Sequence, residues 1–159
     1  MAVQVGDSIP EVSLKVLGEQ GPADISTSEI FSGKKVVLFA VPGAFTPTCS
    51  AAHLPGFVAS ADKIKGKGVD AIVCVSVNDP FVMKAWGDAQ NAEEIMMVAD
   101  PAGDLATAMG AEMDGTAFGL GKRSARYSLI AEDGKITALN MEQGGAFEVS
   151  SAEGILEAL

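Results

Sequence analysis

Residues 35–41, Lys-Val-Val-Leu-Phe-Ala-Val, constrain the fold more than any other stretch. The run is apolar, of strand length, and rich in β-branched and aromatic side chains, the pattern of a buried strand. Pro42-Gly43 stops it. Leu54, Phe57, Val58, Ala61 and Ile64 then recur at helical spacing until Gly66 and Gly68 close the segment. Pro55 lies inside that helix and removes one backbone donor, so a kink is expected there. Residues 69–77 read as a second buried strand. Asn78-Asp79-Pro80 follows as a cap with proline at the first helical position, and Phe81, Val82, Ala85 and Trp86 give that helix an apolar side.

Ile95 to Val98 is a short strand, and Asp100-Pro101 repeats the cap-plus-proline device before a short helix to Met109. Residues 126–131 and 135–139 flank Asp133-Gly134 as a β-hairpin. Ser26-x-x-Glu29 and Ser150-x-x-Glu153 carry capping-box spacing, the second before a helix ending at Leu159. The order β-α-β-α-β-α, then a hairpin and a last helix, predicts an α/β fold. Its central sheet is mixed, parallel where the helices alternate, with helices on both faces. One domain over residues 1–159 is expected, since no repeat, linker or low-complexity segment interrupts the chain.

Bulk numbers exclude several function classes. A hydrophobic share of 48% argues against disorder. With 21 acidic against 11 basic residues the net charge is −10, so no nucleic-acid partner is expected. The one basic cluster, Lys122, Arg123 and Arg126, suffices for a single anion or polar oxygen. No apolar run reaches the roughly 18–20 residues of a membrane span. Met1 to Pro10 lacks a basic start followed by an apolar stretch, so no secretory signal is expected. A cytoplasmic location follows, with an organelle left open if a transit peptide has been removed. The two cysteines, Cys49 and Cys74, form no C-x-x-C and fit a reducing compartment. With a single histidine they are too few for a closed zinc site, so no metal is expected.

The chemistry concentrates in Pro42-Gly43-Ala44-Phe45-Thr46-Pro47-Thr48-Cys49, between a buried strand and a helix, where open α/β sheets bind ligands. With Thr46 as N-cap and Pro47 at N1, Cys49 falls at N3. Its sulfur then meets unpaired N–H groups and the positive end of the helix dipole, a setting that favours a thiolate. The Thr46 hydroxyl is placed to donate to that sulfur or to a bound oxygen. Arg126 opens an otherwise apolar strand and needs a partner. That partner is either a surface carboxylate or the Cys49 sulfur, over which the guanidinium would hold a thiolate and a peroxide oxygen. His53, four residues after Cys49, is either the base of a Cys–His pair or, the preferred reading, a polar brace at the pocket edge. Cys74 sits mid-strand as a buried inert thiol, with a resolving or regulatory thiol as the alternative. Trp86, Phe81 and Phe45 are core candidates, although Phe45 in a loop also suits a partner subunit.

Pro42, Thr46 and Cys49 resemble the P-x-x-x-T-x-x-C signature of peroxiredoxins, and Arg126 matches that family's active-site arginine. The stretches 49–57, 76–81 and 149–153 are similar to the peroxiredoxin 5 group, above all its plant-type II branch. The resemblance implies a thioredoxin-like fold and reduction of hydrogen peroxide or alkyl hydroperoxides through a Cys49 sulfenic acid. It implies that Thr46 and Arg126 align the peroxide, that Pro42 shields the pocket, and that Gly43, Phe45 and His53 support it. No cofactor is implied, so electrons come from a thiol donor. Residues 145–151 contain no cysteine, so the C-terminal resolving cysteine of some members is missing. A one-cysteine cycle is therefore expected, resolved by glutathione with glutaredoxin or by thioredoxin. The plant-type branch carries a cysteine matching Cys74. The group is commonly dimeric near the active-site loop, with Phe45 and Phe81 as candidates for that face.

Two other functions compete. A thiol–disulfide oxidoreductase or glutathione transferase shares the fold, but the former lacks its C-x-x-C here. A redox-sensing or chaperone-like module, whose partner docks when Cys49 oxidises, is the non-enzymatic alternative. A cysteine phosphatase is disfavoured, because position 55, six beyond Cys49, is proline rather than arginine.

Overall fold

Seven strands form one sheet in the order β2-β1-β5-β4-β3-β8-β9, as seen in a computed structural model that describes residues 2–159. Met1 lies outside the described residues. The chain opens with β1 (Ser13–Gly18) and β2 (Gly21–Ser26), then α1 (Thr27–Phe31) and β3 (Lys35–Val41). Next come α2 (Leu54–Gly66), β4 (Ala71–Ser76), α3 (Pro80–Ala89), β5 (Met96–Ala99) and α4 (Asp104–Ala108). A separate two-stranded ribbon, β6 (Glu112–Asp114) and β7 (Lys122–Ser124), precedes β8 (Tyr127–Glu132), β9 (Lys135–Met141) and α5 (Ala152–Ala158). β3, β4 and β5 run parallel, and β8 runs antiparallel to both β3 and β9. This is the thioredoxin-like mixed α/β sheet.

The 35–41 run is apolar throughout because both of its faces are buried. Val37, Phe39 and Val41 pack with α2, α3 and α5, while Val36, Leu38 and Ala40 pack with α1 and α4. On the first side Phe39 stacks on Phe57 at 4.0 Å between ring centroids, and Trp86 is fully buried with its indole N–H donating to Ser50 Oγ at 3.0 Å. The hairpin turn places Asp133 and Gly134 at φ 50° and 77°, the two positive angles of a type I′ turn. No helix among the described residues is long and apolar enough to cross a membrane.

The structure departs from the sequence reading at several places. β1 and β2 escape it because they form the sheet edge: β2 is largely exposed and carries Pro22, so neither an apolar run nor alternation marks it. The β6–β7 ribbon is likewise too short to leave a pattern. Phe45 and Phe81 are not core; they are 56% and 58% exposed. The helix expected at Pro101 starts at Asp104 behind Gly103, and the Asp100 carboxylate reaches forward to the N–H groups of Leu105 and Ala106. Ser151 rather than Ser150 caps α5, accepting from Gly154 N–H at 3.2 Å, because the Ser150 hydroxyl is drawn to Glu142 instead.

Candidate active site

The segment after β3 is pinned from two directions before it reaches the cysteine. Ala44 N–H donates to Asn78 Oδ1 at 3.0 Å, and Ser76 Oγ donates to the same oxygen at 2.6 Å. Arg123, delivered by β7, donates from Nη1 to the Pro42 carbonyl at 3.3 Å and from Nε to the Leu120 carbonyl at 2.9 Å. Its guanidinium lies close under Gly43: a Cβ there would meet Nη1 at 2.8 Å and the Thr46 methyl at 3.1 Å, so a side chain at position 43 would displace the arginine from the Pro42 carbonyl. Phe45 takes a positive φ of 65°, uncommon for a bulky residue, and its exposed ring tilts towards Trp86 at 6.5 Å.

Thr46 caps the helix. Its carbonyl accepts from Ser50 N–H at 2.9 Å, Pro47 takes the first helical position, and Cys49 follows at N3. The Thr46 hydroxyl donates to the Gly43 carbonyl at 2.6 Å, so its proton is engaged there rather than on sulfur, leaving oxygen lone pairs. Residues Cys49–His53 form a π-helical turn, with Leu54 N–H donating to the Cys49 carbonyl. Pro55, which has no N–H, thus stands in the first turn of α2 behind one wide turn, a feature common at functional sites.

Cys49 is fully buried, and Arg126 Nη2 donates to its sulfur at 3.3 Å. Arg126 Nη1 is 2.9 Å from His53 Nδ1, and His53 Nε2 is 2.9 Å from the Ser150 carbonyl. These partners fix the imidazole. A carbonyl only accepts and a guanidinium only donates, so Nε2 carries the proton and Nδ1 offers its lone pair. The Arg126 guanidinium also lies over Phe147, 5.6 Å from the ring centroid, and Phe147 sits 4.9 Å from His53. Sequence reasoning brings Cys49, Thr46, Arg126 and His53 together. It names Arg123 only within the basic cluster and misses Asn78, Glu142, Phe147 and Ser150 as parts of the site, since their links to it span up to 97 residues.

The electrostatics follow from these contacts. Burial and the neighbouring Arg126 charge push His53 from its ordinary 6.5 down to about 3, so the ring is neutral and its one acceptor nitrogen is occupied. A Cys–His pair therefore has no open base here. Burial pushes the Cys74 thiol well above its usual range, with a further push from Cys49, so Cys74 stays protonated in the strand between Phe39 and Met97. Among the described residues no three His, Cys, Asp or Glu side chains gather where a metal could sit.

The lowered His53 value has a sign that can be checked. The unfolded chain takes up a proton near pH 6.5 that the folded protein refuses until about pH 3. Folding stability is therefore complete above pH 6.5 and falls as the solution is acidified, by up to about 1.4 kcal/mol per pH unit. Urea unfolding at pH 7, 6 and 5 is expected to show this slope, and a His53→Gln chain is expected to flatten it. Equal wild-type stability at pH 7 and pH 5 contradicts the assignment.

A sulfur at a helix start, shielded from water and held by a guanidinium, suits nucleophilic attack on a polar oxygen. On a thioredoxin-like sheet this arrangement defines the class of thiol-dependent peroxidases, which reduce peroxides with electrons from thiols. Residues 4–156 match the Redoxin family, to which the chain belongs, among its peroxiredoxins. It is 48% identical to Peroxiredoxin-2D of Arabidopsis thaliana over 159 residues, covering 99% of this chain and 98% of that protein. It is 49% identical to chloroplastic Peroxiredoxin-2E-2 of Oryza sativa subsp. japonica, covering 99% of this chain and 72% of the relative. Reduced Prx3 of Vibrio vulnificus, solved in complex with hydrogen peroxide, superposes with a TM-score of 0.95 at 55% identity, covering 98% of each chain.

Proposed function

We propose that Cys49 is the peroxidatic nucleophile and that Thr46, Arg126 and Pro42 complete the reaction site. The single observation that carries this reading is the Arg126 guanidinium on the buried Cys49 sulfur at 3.3 Å. The thiolate attacks the terminal oxygen of R–O–O–H. An S–O bond forms, the O–O bond breaks, and the departing oxygen takes a proton and leaves as water or alcohol. Sulfur is oxidised by two electrons to a sulfenic acid, and the peroxide is reduced by the same two. Arg126 stabilises the negative charge on the sulfur and then on the leaving oxygen, and the Thr46 oxygen, whose own proton is held by the Gly43 carbonyl, accepts a hydrogen bond from the O–H of the incoming hydroperoxide. Pro42, whose carbonyl Arg123 holds, walls the pocket beside Gly43 and Phe45, while His53 braces Arg126.

Two outside thiols complete the cycle: one condenses with the sulfenic acid and releases water, and the second frees Cys49 by forming a disulfide with the first. Cys74, protonated and fully buried, supports a one-cysteine cycle of this kind. Two unpaired cysteines support a reducing compartment such as the cytoplasm. The exposed rings of Phe45 and Phe81 support a homodimer formed beside the active-site loop, which sedimentation velocity at micromolar concentration tests directly.

The reading is tested by turnover with tert-butyl hydroperoxide under two reducing systems. Glutathione with glutaredoxin, or thioredoxin with its reductase, is expected to sustain turnover. Turnover under neither system, with Cys49 intact and reduced at the start, contradicts the peroxidase cycle.

A further inference from the structure

The Glu142 carboxylate takes no part in the steps above, yet it is 5% exposed and heavily bonded. Its Oε2 accepts from the N–H groups of Glu148, Val149 and Ser150 at 2.9, 2.9 and 2.8 Å, and from the Ser150 hydroxyl at 2.7 Å. Burial pushes this carboxyl up, but the four donors outweigh it and hold the group below the usual carboxylate range. We propose that Glu142 is a positioning residue for the peroxide reaction: by clamping residues 148–150 it holds the Ser150 carbonyl on His53 and, through His53, the Arg126 guanidinium on the Cys49 sulfur. The proposal rests on the Cys49–Arg126 reading given above.

Three consecutive backbone N–H groups aimed at one anion make a nest, and a nest fixes the direction of the peptide planes that build it. Here the last of those residues is Ser150, which Glu142 holds by both its N–H and its hydroxyl; the carbonyl of the peptide plane that follows accepts from His53 Nε2 and so selects the tautomer. A neutral imidazole has one N–H and one lone pair. With the proton on Nε2, Nδ1 accepts from Arg126; with the proton on Nδ1, two N–H groups would face each other and the guanidinium would have to turn. A second tie is direct, since Glu142 N–H donates to the Arg126 carbonyl at 3.0 Å. Phe147, within the segment that Glu142 closes, covers both the guanidinium and the imidazole. Were Glu142 only a loop stabiliser, its loss would lower the melting temperature but leave the tautomer and the rate of the folded protein unchanged.

That difference is measurable because His53 is the sole histidine and Trp86 the sole tryptophan. Nitrogen-15 NMR of the histidine ring reads the tautomer. Stopped-flow Trp86 fluorescence reads Cys49 oxidation by hydrogen peroxide, because the indole N–H bonds Ser50 beside Cys49. Wild-type, Glu142→Gln and Glu142→Ala chains are compared well below each melting temperature. The wild type is expected to show the Nε2–H tautomer alone. Glu142→Ala is expected to show a mixture of the two neutral tautomers at pH 6 and oxidation slower by about ten- to a hundredfold. Glu142→Gln keeps an acceptor oxygen without the charge and is expected to lose about two- to fivefold. A Glu142→Ala chain with the wild-type tautomer and rate overturns the proposal, whatever its melting temperature. If that chain does not fold, a Glu142→Gln rate equal to wild type overturns it instead. A wild-type rate no faster than free cysteine sinks the peroxidase reading and this proposal with it, whereas a fast wild type with unresponsive Glu142 variants sinks this proposal alone.

Discussion

Replacing Arg126 with glutamine is expected to slow oxidation of Cys49 by hydrogen peroxide by about two to three orders of magnitude, the usual effect of deleting one donor preorganised on developing charge. The loss has two sources. The guanidinium is the cation that contacts the sulfur, and at 6% exposure it acts where water screens little. It also spans sulfur and imidazole at once, Nη2 to Cys49 and Nη1 to His53, a geometry that a shorter amide does not reach. Lysine is expected to restore only part of the rate, because one ammonium cannot reproduce the planar fork. The helix start survives in both variants, so some acceleration over free cysteine is expected to persist. The second-order rate constant from stopped-flow fluorescence measures the effect, with a thermal melt showing that each variant is folded. A glutamine variant within about threefold of wild type would remove Arg126 from the chemistry.

How much of this was legible in the sequence depended on how local the governing interactions are. The strand at residues 35–41, the Asp79-Pro80 start of α3 and the Asp133-Gly134 hairpin were readable because neighbouring residues determine them. Cys49 at the third helical position was readable for the same reason, since Thr46 and Pro47 fix the helix start by themselves. Asp100 and Ser150 misled because each looked like a cap for the residues just after it. Asp100 reaches past Pro101 to Leu105 and Ala106, and Ser150 turns back eight residues to Glu142. The Arg126–His53 contact joins positions 73 apart, so the sequence offers each residue to the pocket separately and only the fold joins them. Glu142 gave no signal at all: a lone acidic residue after a strand reads as solvated surface, and its burial depends on how residues 148–150 fold back over it.

Replacing Cys49 with serine is expected to reduce peroxide consumption to the uncatalysed background, because a serine hydroxyl is a far weaker nucleophile than a cysteine sulfur and gives no sulfenic acid. Cys74→Ala is expected to leave the first turnover unchanged. That thiol lies mid-strand in β4, where burial raises its pKa well above the usual range, so it is expected to act neither as a nucleophile nor as a resolving group. The lost sulfur is expected to cost about 1–2 kcal/mol of stability, read as a lower melting temperature rather than a lower rate. The two cysteines are thus separated by setting rather than by burial. One begins a helix under a guanidinium, and the other lies mid-strand among apolar neighbours.

The most direct test treats the wild-type, Cys49→Ser and Cys74→Ala chains with one equivalent of hydrogen peroxide and a sulfenic-acid trap, then locates the trapped oxygen by peptide mass spectrometry. The adduct is expected on Cys49 alone, in the wild-type and Cys74→Ala chains, forming about a thousandfold or more faster than on free cysteine. An adduct on Cys74, or peroxide consumption by the Cys49→Ser chain at the wild-type rate, contradicts the account.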